Sequence, residues 1–121
     1  MNILVLEGDG IGPEICAATV GCLRALSDTR GLGLRFETAP IGFAGLNANG
    51  STLSDEVFAR AKAADGVILG PVSTADYPPA EKGGINPSAA LRKGLDLYAN
   101  ERPSKVRPGI PAMAKIGRAH V

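Results

Sequence analysis

The sequence predicts an α/β fold, in which a mostly parallel β-sheet is flanked by helices. Two observations support this prediction. Short apolar runs alternate with helix-like segments in the order β-α-β-α-β. The connections between these segments are short, as is typical of parallel strands that are joined by crossover helices. The chain has 121 residues, which is enough for one domain at most.

The first strand is predicted over residues 2–6, because the run NILVL is apolar and partly β-branched. Residues 8–12 carry glycine at alternate positions, which permits a tight turn. Pro13 suits the first position of a helix and Glu14 complements the helix dipole, so the first helix begins here and ends before Gly31. Its apolar stripe consists of Ile15, Cys16, Thr19, Cys22, Leu23 and Leu26.

The second strand is predicted over residues 34–41, where apolar and polar side chains alternate as in a half-buried or edge strand. Residues 42–51 are rich in glycine and asparagine, which indicates a loop. Either Thr52 or Ser54 can then cap a second helix that runs through Ala64.

Residues 66–70 (GVILG) predict a third, buried strand. The following segment, 71–87, is rich in proline and predicts a long ordered loop. Ser88 can cap a last helix, and residues 97–106 are expected to be extended.

The charge balance argues against several classes of partner. There are 13 Lys plus Arg against 12 Asp plus Glu without a basic block, so we expect neither a nucleic acid nor a membrane surface as partner. No apolar stretch approaches the roughly 20 residues needed to span a bilayer, and no charged leader precedes the first strand. We therefore expect a cytoplasmic protein, with Cys16 and Cys22 as buried, reduced thiols.

Two arginines near the last helix form a candidate anion site. Arg92 follows Ser88 by one helical turn and lies on the same side, and Arg102 comes ten residues later. Two guanidinium groups there can converge on one dicarboxylate, because the planar fork of arginine donates two parallel hydrogen bonds to a carboxylate. The alternative for each arginine is an ordinary surface salt bridge, and Lys93 is interpreted as surface charge.

The turns after the strands are weaker candidates. The glycine turn has the spacing G-x-G-x-G, which is not the dinucleotide fingerprint, although Glu37 could serve as a ribose-binding acid in an ordinary Rossmann fold. Ser73 and Thr74 follow the third strand and could bind a ribose or an amide, or simply form a turn. Asp9 and Glu14 are explained by the turn and the helix dipole, and no metal-ligand cluster is visible.

Three motifs carry a family resemblance. LEGDGIGPEI (6–15), ILGPVST (68–74) and LRKGLDLYANERP (91–103) together resemble the N-terminal third of the β-decarboxylating dehydrogenases, the isopropylmalate and isocitrate dehydrogenase family. The resemblance implies that residues 1–115 are the N-terminal part of an incomplete dehydrogenase domain. Residues 116–121 (IGRAHV) resemble a translated sequencing adapter, and we expect them to be a non-native tail.

The resemblance also implies an activity. It is the oxidation of a 2-hydroxy acid bearing a carboxylate at C3 by NAD or NADP, assisted by Mg²⁺ or Mn²⁺ and followed by loss of CO₂. The full-length enzyme would be a homodimer, and its catalytic and metal-binding residues would lie outside this chain, leaving the fragment inactive by itself. In the family's motifs, Arg92 and Arg102 would bind the carboxylates, Asn86 and Ser88 would face the variable substituent or the nicotinamide, and Val72 and Thr74 would lie beside the nicotinamide ribose.

Several alternatives stay open. Ser88 and Ala89 replace the apolar pair typical of isopropylmalate enzymes, while Asn86 and Ser88 reverse the order typical of isocitrate enzymes. Leu69 stands where the isocitrate branch often has lysine, so homoisocitrate, tartrate and malate are further possible substrates. The alternative from another class is a small nucleotide- or anion-binding α/β module without catalysis.

Overall fold

The computed structural model of the protein describes residues 1–103. The predicted domain boundary at residue 115, the tail at 116–121 and the last part of the predicted extended segment, 104–106, lie outside the described residues. No helix or strand is assigned within 97–103.

The described part has the predicted α/β architecture. Its three strands form one parallel sheet with the first strand in the middle, and two short 3-10 turns lie in the loop that follows the third strand. None of its helices combines the length and apolar character needed to cross a membrane. The elements are β1 (Asn2–Leu6), α1 (Gly12–Arg30), β2 (Arg35–Ala39), α2 (Gly42–Asn49), α3 (Asp55–Ala63), β3 (Gly66–Leu69) and α4 (Pro87–Gly94).

The central strand β1 organises the sheet. Leu6, its last residue, lies in register with Ala39 of β2 and with Leu69 of β3. All three strands therefore end at the same border of the sheet, which we call the carboxyl edge. Since successive side chains of a strand point to opposite faces, Leu4 and Leu6 share one face and Val5 lies on the other.

The main hydrophobic core joins the sheet to α3 and α4. Among the partly buried residues packed against it are Val72, from the loop after β3, and Ile85, which precedes α4. The loop after β3 and the last helix thus share one core with the sheet. The buried members of this core are Leu4, Leu6, Ala39, Ile41, Leu53, Val57, Ala61 and Leu91.

Helix α1 is less buried than its stripe predicts. Cys16 is the one buried member of the stripe, whereas Ile15 and Leu26 are 42% and 46% exposed and Cys22 is also exposed. The prediction that both thiols are buried is therefore wrong for Cys22. Length explains this, because 19 helical residues extend about 28 Å while a strand of five residues covers about 17 Å. The described strands are thus too short to cover the whole length of α1.

Helix α2 lies where the sequence predicts a loop. Ile41, at its N-cap, offers no side-chain acceptor, so the local sequence lacks the usual start signal. The acceptor comes instead from a distant residue, since the backbone N–H of Phe43 donates to Asp9 Oδ1 at 2.8 Å. A long-range contact thus replaces the missing local cap.

Of the predicted caps of α3 and α4, one is confirmed and one is wrong. Ser54 caps α3 as one of the two predicted choices, and its Oγ accepts from the N–H of Val57 at 3.3 Å. The predicted cap of α4, Ser88, is wrong, because Asn86 Oδ1 accepts from the N–H of Ala89 at 3.0 Å. Pro87 between them has no N–H and a backbone angle suited to the first helical position, which moves the cap one residue before it.

Thr52, the other candidate cap, is fully buried and holds two segments together. Its Oγ1 donates to the carbonyl oxygen of Ile85 at 2.7 Å and accepts from the N–H of Ile85 at 2.9 Å. Its own N–H donates to the carbonyl oxygen of Gly83 at 2.9 Å. Thr52 thereby fixes the chain just before α4 against the start of the α3 region.

We expect Thr52→Val to destabilise the chain by about 1 to 3 kcal/mol, because valine keeps the shape but leaves the partly buried N–H and carbonyl oxygen of Ile85 without their partner. Urea unfolding followed by circular dichroism measures this. Thr19→Val is the matched control, since Thr19 is exposed on α1 and its replacement should change the unfolding free energy by less than about 0.5 kcal/mol. Equal effects of the two substitutions would contradict the assignment.

Candidate functional site

The loops that follow the three strands meet at the carboxyl edge. The loop after β1 contains Asp9, a residue that is only 8% exposed. Its backbone N–H donates to the carbonyl oxygen of Pro71, in the loop after β3, at 2.8 Å. Ligands of open α/β sheets bind at this edge, so these loops form the candidate site.

The Asp9 carboxylate connects all three loops. Oδ1 accepts from the N–H of Phe43 at the start of α2, and Oδ2 accepts from the N–H of Ser73 at 2.9 Å. Oδ2 also accepts a short hydrogen bond from the hydroxyl of Tyr77. The rings of Phe43 and Tyr77 pack edge to face with their centroids 5.1 Å apart. We call these four residues, Asp9, Phe43, Ser73 and Tyr77, the Asp9 cluster.

Two glycines make room for this arrangement. Gly8 has a positive φ of 74°, and a Cβ there would run into the carbonyl oxygen of Pro71. Gly42 has a φ of 66°, and a Cβ there would occupy the position of the Asp9 carboxylate. Glycine is therefore required on both sides of Asp9 by backbone conformation and by space.

The cluster holds a buried negative charge. Burial raises the pKa of Asp9, but the hydrogen bonds from Ser73, Tyr77 and Phe43 outweigh it, so the pKa lies below its ordinary value of 3.8. Burial also raises the pKa of the Tyr77 hydroxyl, and the hydrogen bond to Asp9 and its charge raise it further. Asp9 is thus ionised and Tyr77 protonated at neutral pH.

The residues predicted to bind the cofactor lie on the loop that Asp9 holds. Val72 is half-buried and packs against the main core. Thr74 is exposed and begins the 3-10 turn Thr74–Asp76. Ser73 between them donates its N–H to Asp9, so the carboxylate lies directly behind this segment.

Three of the predicted substrate residues lie together on α4. Asn86 caps the helix and is exposed, Ser88 follows in its first turn, and Arg92 lies one turn further along. The Nε of Arg92 donates to the carbonyl oxygen of Ser88 at 3.2 Å, so the guanidinium group points back toward the helix N-terminus. The sequence expectation that Ser88 and Arg92 share one side of the helix is confirmed.

Arg102, the fourth, is not brought to this group by any contact of the described residues. It is exposed in the segment after α4, where no helix or strand positions it. Three surface cavities of about 180, 260 and 220 Å³ are not lined by any of the predicted substrate or nicotinamide residues. Glu37 lines the first of them, and the third lies at the carboxyl edge beside Gly8 and Ile41. Convergence of Arg92 and Arg102 on one ligand stays a prediction.

The Rossmann alternative finds no support at Glu37. This residue lies in the middle of β2, in register with Leu4, and forms a surface ion pair with Arg60 at 3.4 Å. Among residues 1–103, no group of three or more His, Cys, Asp or Glu side chains is placed to hold a metal ion.

Comparison with known proteins decides the family. The family model described as isocitrate/isopropylmalate dehydrogenase matches residues 2–120. The chain belongs to the isocitrate/isopropylmalate dehydrogenase family. The resemblance carried by the three motifs is thereby confirmed, and the Asp9 cluster is a feature of a dehydrogenase-family chain.

The curated relatives include dehydrogenases from several bacteria. The chain is 40% identical to the 3-isopropylmalate dehydrogenase of Thiobacillus denitrificans over 119 residues, covering 96% of this chain and 33% of that protein. It is 42% identical to that of Burkholderia pseudomallei over 111 residues, covering 89% and 30%. The chain thus spans about a third of the length of these relatives.

Solved structures of the family share the fold. A β-decarboxylating dehydrogenase from Thermococcus kodakarensis superposes with a TM-score of 0.66 at 31% identity, over 80% of this chain and 27% of that one. An isocitrate dehydrogenase from Methylococcus capsulatus gives 0.64 at 29% identity, over 80% and 26%. The predicted α/β, mostly parallel architecture is confirmed as part of the fold of this dehydrogenase family.

Sequence reasoning missed the central role of Asp9. It assigned this residue to the turn, and it gave no role to Tyr77 or Phe43. The available signal was position, because each partner follows a parallel strand or begins the element after it. Position in the sequence does not show which side chain is buried between the loops, so the hydrogen bonds of Asp9 could not be predicted.

We expect Asp9→Asn to lower the free energy of unfolding by about 1 to 3 kcal/mol at neutral pH, because the amide accepts fewer of the buried donors. Since the pKa of Asp9 is lowered in the folded state, its carboxylate stabilises the fold above the unfolded pKa. That contribution is lost as pH falls through the folded pKa. The difference between wild type and variant should therefore shrink in acid.

Urea unfolding at several pH values, from about 7 down to about 3, measures this difference over the range in which carboxyl groups titrate. Asp65→Asn is the matched control, because the Asp65 carboxylate also accepts a backbone N–H, that of Asn2, but is exposed. Asp65→Asn should lower the free energy of unfolding at neutral pH by less than Asp9→Asn does. A gap for Asp9→Asn that stays constant with pH would contradict the assignment of a stabilising charge.

Proposed function

We propose that this chain is part of an enzyme that oxidises a 2-hydroxy acid bearing a carboxylate at C3 and releases that carboxylate as CO₂. The substrate is of the 3-isopropylmalate or isocitrate type, the oxidant is NAD or NADP, and the metal is Mg²⁺ or Mn²⁺. Residues 1–115 form the N-terminal part of this enzyme, which by family likeness is a homodimer. Membership of the family supports the class of reaction, and the names of the curated relatives favour the isopropylmalate branch.

The observation that carries the proposal is the direction of Arg92. Its Nε is engaged with the Ser88 carbonyl oxygen, so the two terminal nitrogens are the donors left for a ligand. Among the described residues, no carboxylate forms an ion pair with Arg92. A substrate carboxylate placed beside the first turn of α4 would receive two parallel hydrogen bonds from these nitrogens.

The first turn of α4 offers one further backbone donor. Pro87 has no N–H, and the N–H groups of Ala89 and Ala90 donate to Asn86. The N–H of Ser88 has no hydrogen-bond partner among the described residues. Together with the Ser88 hydroxyl, it provides a small polar surface next to the guanidinium group, in the positive field of the helix N-terminus.

Asn86 contributes through the half of its amide that the cap does not use. Its Oδ1 accepts from Ala89, which leaves Nδ2 as the group that can donate to a ligand. This donor suits a carboxylate or hydroxyl better than an isopropyl group. Asn86 and Ser88 therefore favour a polar substituent, whereas the curated relatives favour isopropylmalate, and a substrate panel distinguishes these two indications.

The cofactor residues are proposed on the loop after β3. Val72 is fixed by the same hydrophobic core that contains Leu91, the neighbour of Arg92, so the two halves of the site rest on one packed scaffold. The Thr74 hydroxyl is exposed at the carboxyl edge and can bond to a ribose. When bound, the nicotinamide accepts a hydride and the divalent metal polarises the carbonyl that forms.

A chimera tests the proposal. Residues 1–103 of this chain replace the matching segment of the 3-isopropylmalate dehydrogenase of Thiobacillus denitrificans. We expect formation of NADH or NADPH with at least one acid of a panel containing isopropylmalate, isocitrate, homoisocitrate, tartrate and malate. A folded chimera that is inactive on the whole panel would contradict the proposed function.

In this chimera we expect Arg92→Ala and Arg102→Ala each to lower kcat/KM by about 30-fold or more, equivalent to about 2 kcal/mol, because a buried substrate carboxylate loses its partner. Lys93→Ala is the matched control, since Lys93 is an exposed neighbour on α4. An exposed charge contributes at most about 1 kcal/mol, so its loss should cost no more than about fivefold. Equal losses of kcat/KM for all three variants would contradict the proposal that Arg92 and Arg102 bind the substrate carboxylates.

A further inference from the structure

The segment that carries the proposed cofactor residues is anchored at two points. Ser73 donates its N–H to Asp9 Oδ2, and the hydroxyl of Tyr77 donates to the same oxygen. The chain from Ser73 to Tyr77 is thus an arch whose two ends meet one carboxylate oxygen. Thr74 lies within this arch and is exposed.

Few other contacts fix the arch. In the described part of the chain, its other backbone hydrogen bond is internal, from the N–H of Asp76 to the carbonyl oxygen of Ser73 at 2.9 Å. Val72, just before the arch, packs on the main core, and the ring of Tyr77 packs on Phe43. The direction of Thr74 therefore depends largely on the two hydrogen bonds to Asp9.

The substrate residues on α4 are held by different contacts. Asn86 caps the helix, Leu91 is buried in the main core, and Thr52 fixes Ile85 just before the helix. None of the described hydrogen bonds joins Asp9 to α4. A change at Asp9 should thus disturb the arch without moving the proposed acid-binding residues.

We propose that Asp9 is a positioning residue, which acts with Tyr77 to hold Thr74 in the course that the nicotinamide end of the cofactor requires. This inference rests on the proposed function, since it assigns a purpose to the same site. The inference goes beyond the proposed function by predicting which of the two ligands, the dinucleotide or the hydroxy acid, is bound less well when the Asp9 contacts are lost. Loss of the Asp9 contacts should weaken the use of NAD or NADP and leave the affinity for the hydroxy acid nearly unchanged.

The first experiment tests the positioning without any enzymatic activity. Amide hydrogen exchange is measured by NMR in the full 121-residue chain and in Asp9→Asn, Tyr77→Phe and Asp65→Asn variants. In Asp9→Asn we expect the amides of Ser73 and Phe43 to exchange about tenfold faster or more, as the loss of about 1.4 kcal/mol of hydrogen bonding requires.

In the same experiment, Asp65→Asn should change the amide of Asn2, which it contacts, and leave Ser73 and Phe43 unchanged. Tyr77→Phe keeps the ring that packs on Phe43 and removes only one bond to Asp9, so it remains informative where Asp9→Asn fails to fold. It should speed exchange at Ser73. Unchanged exchange at Ser73 in both Asp9→Asn and Tyr77→Phe would overturn the positioning role.

The second experiment compares how the substitutions affect KM for the dinucleotide and KM for the hydroxy acid in the chimera. For Asp9→Asn and for Tyr77→Phe, we expect KM for the dinucleotide to rise by about tenfold, in line with the loss of a charge-assisted hydrogen bond. KM for the hydroxy acid should stay within about twofold, since none of the bonds lost joins Asp9 to α4. Tyr98→Phe, at a fully exposed tyrosine, is the control for the loss of a phenol hydroxyl.

The outcomes separate the two proposals. Equal rises in both KM values, or a fall in kcat alone, would overturn the positioning of the cofactor loop while leaving the enzyme assignment intact. An unmutated chimera that is folded and inactive would contradict the proposed function. The exchange measurement then still decides whether Asp9 and Tyr77 fix the arch.

Discussion

The carboxyl edge of this sheet depends on one buried carboxylate. Three parallel strands end at the same border, so the three loops that follow them lie side by side. Loops do not form the regular backbone hydrogen bonds that join strands, so other contacts must hold them in place. Asp9 supplies the missing connections with two oxygens that accept from α2 and from both ends of the arch after β3. A neutral side chain of the same size would provide fewer acceptors, so the charge is part of the architecture.

Much of the fold was predictable because its signals are local. The run NILVL, the proline and glutamate at the start of α1, and the cap at Ser54 each act over a few residues. The strand and the cap are found as predicted, and α1 begins at Gly12, one residue before Pro13. The three motifs placed the chain in its family for the same reason, since each motif is contiguous. The placement of Ser88 and Arg92 on one side of α4 likewise follows from helical spacing.

The errors arise where the deciding contact is distant in sequence or depends on competing local signals. Helix α2 begins at glycine without a local cap, and its acceptor lies 34 residues away in Asp9. At α4 two adjacent capping residues compete, and Pro87 decides between them. The exposed stripe of α1 shows a third case, since periodicity predicts which side chains share a face but not whether that face is covered. Periodicity and composition do not indicate which distant residue supplies an acceptor or whether a helix face is covered.

The two borders of the sheet are held in different ways, and the difference bears on function. At the amino border, the N–H of Asn2 donates to the exposed Asp65 at 2.7 Å, and the N–H of Leu34 donates to Ser27 Oγ at 3.0 Å. Among residues 1–103, Asp9 is the one charged residue that is buried. At the carboxyl border, burial of a carboxylate carries a desolvation penalty that only good donors offset. A buried charge that is fully hydrogen-bonded at one border is expected where the exact course of a loop serves a function. The physical asymmetry of the sheet therefore marks the same border as the family motifs do.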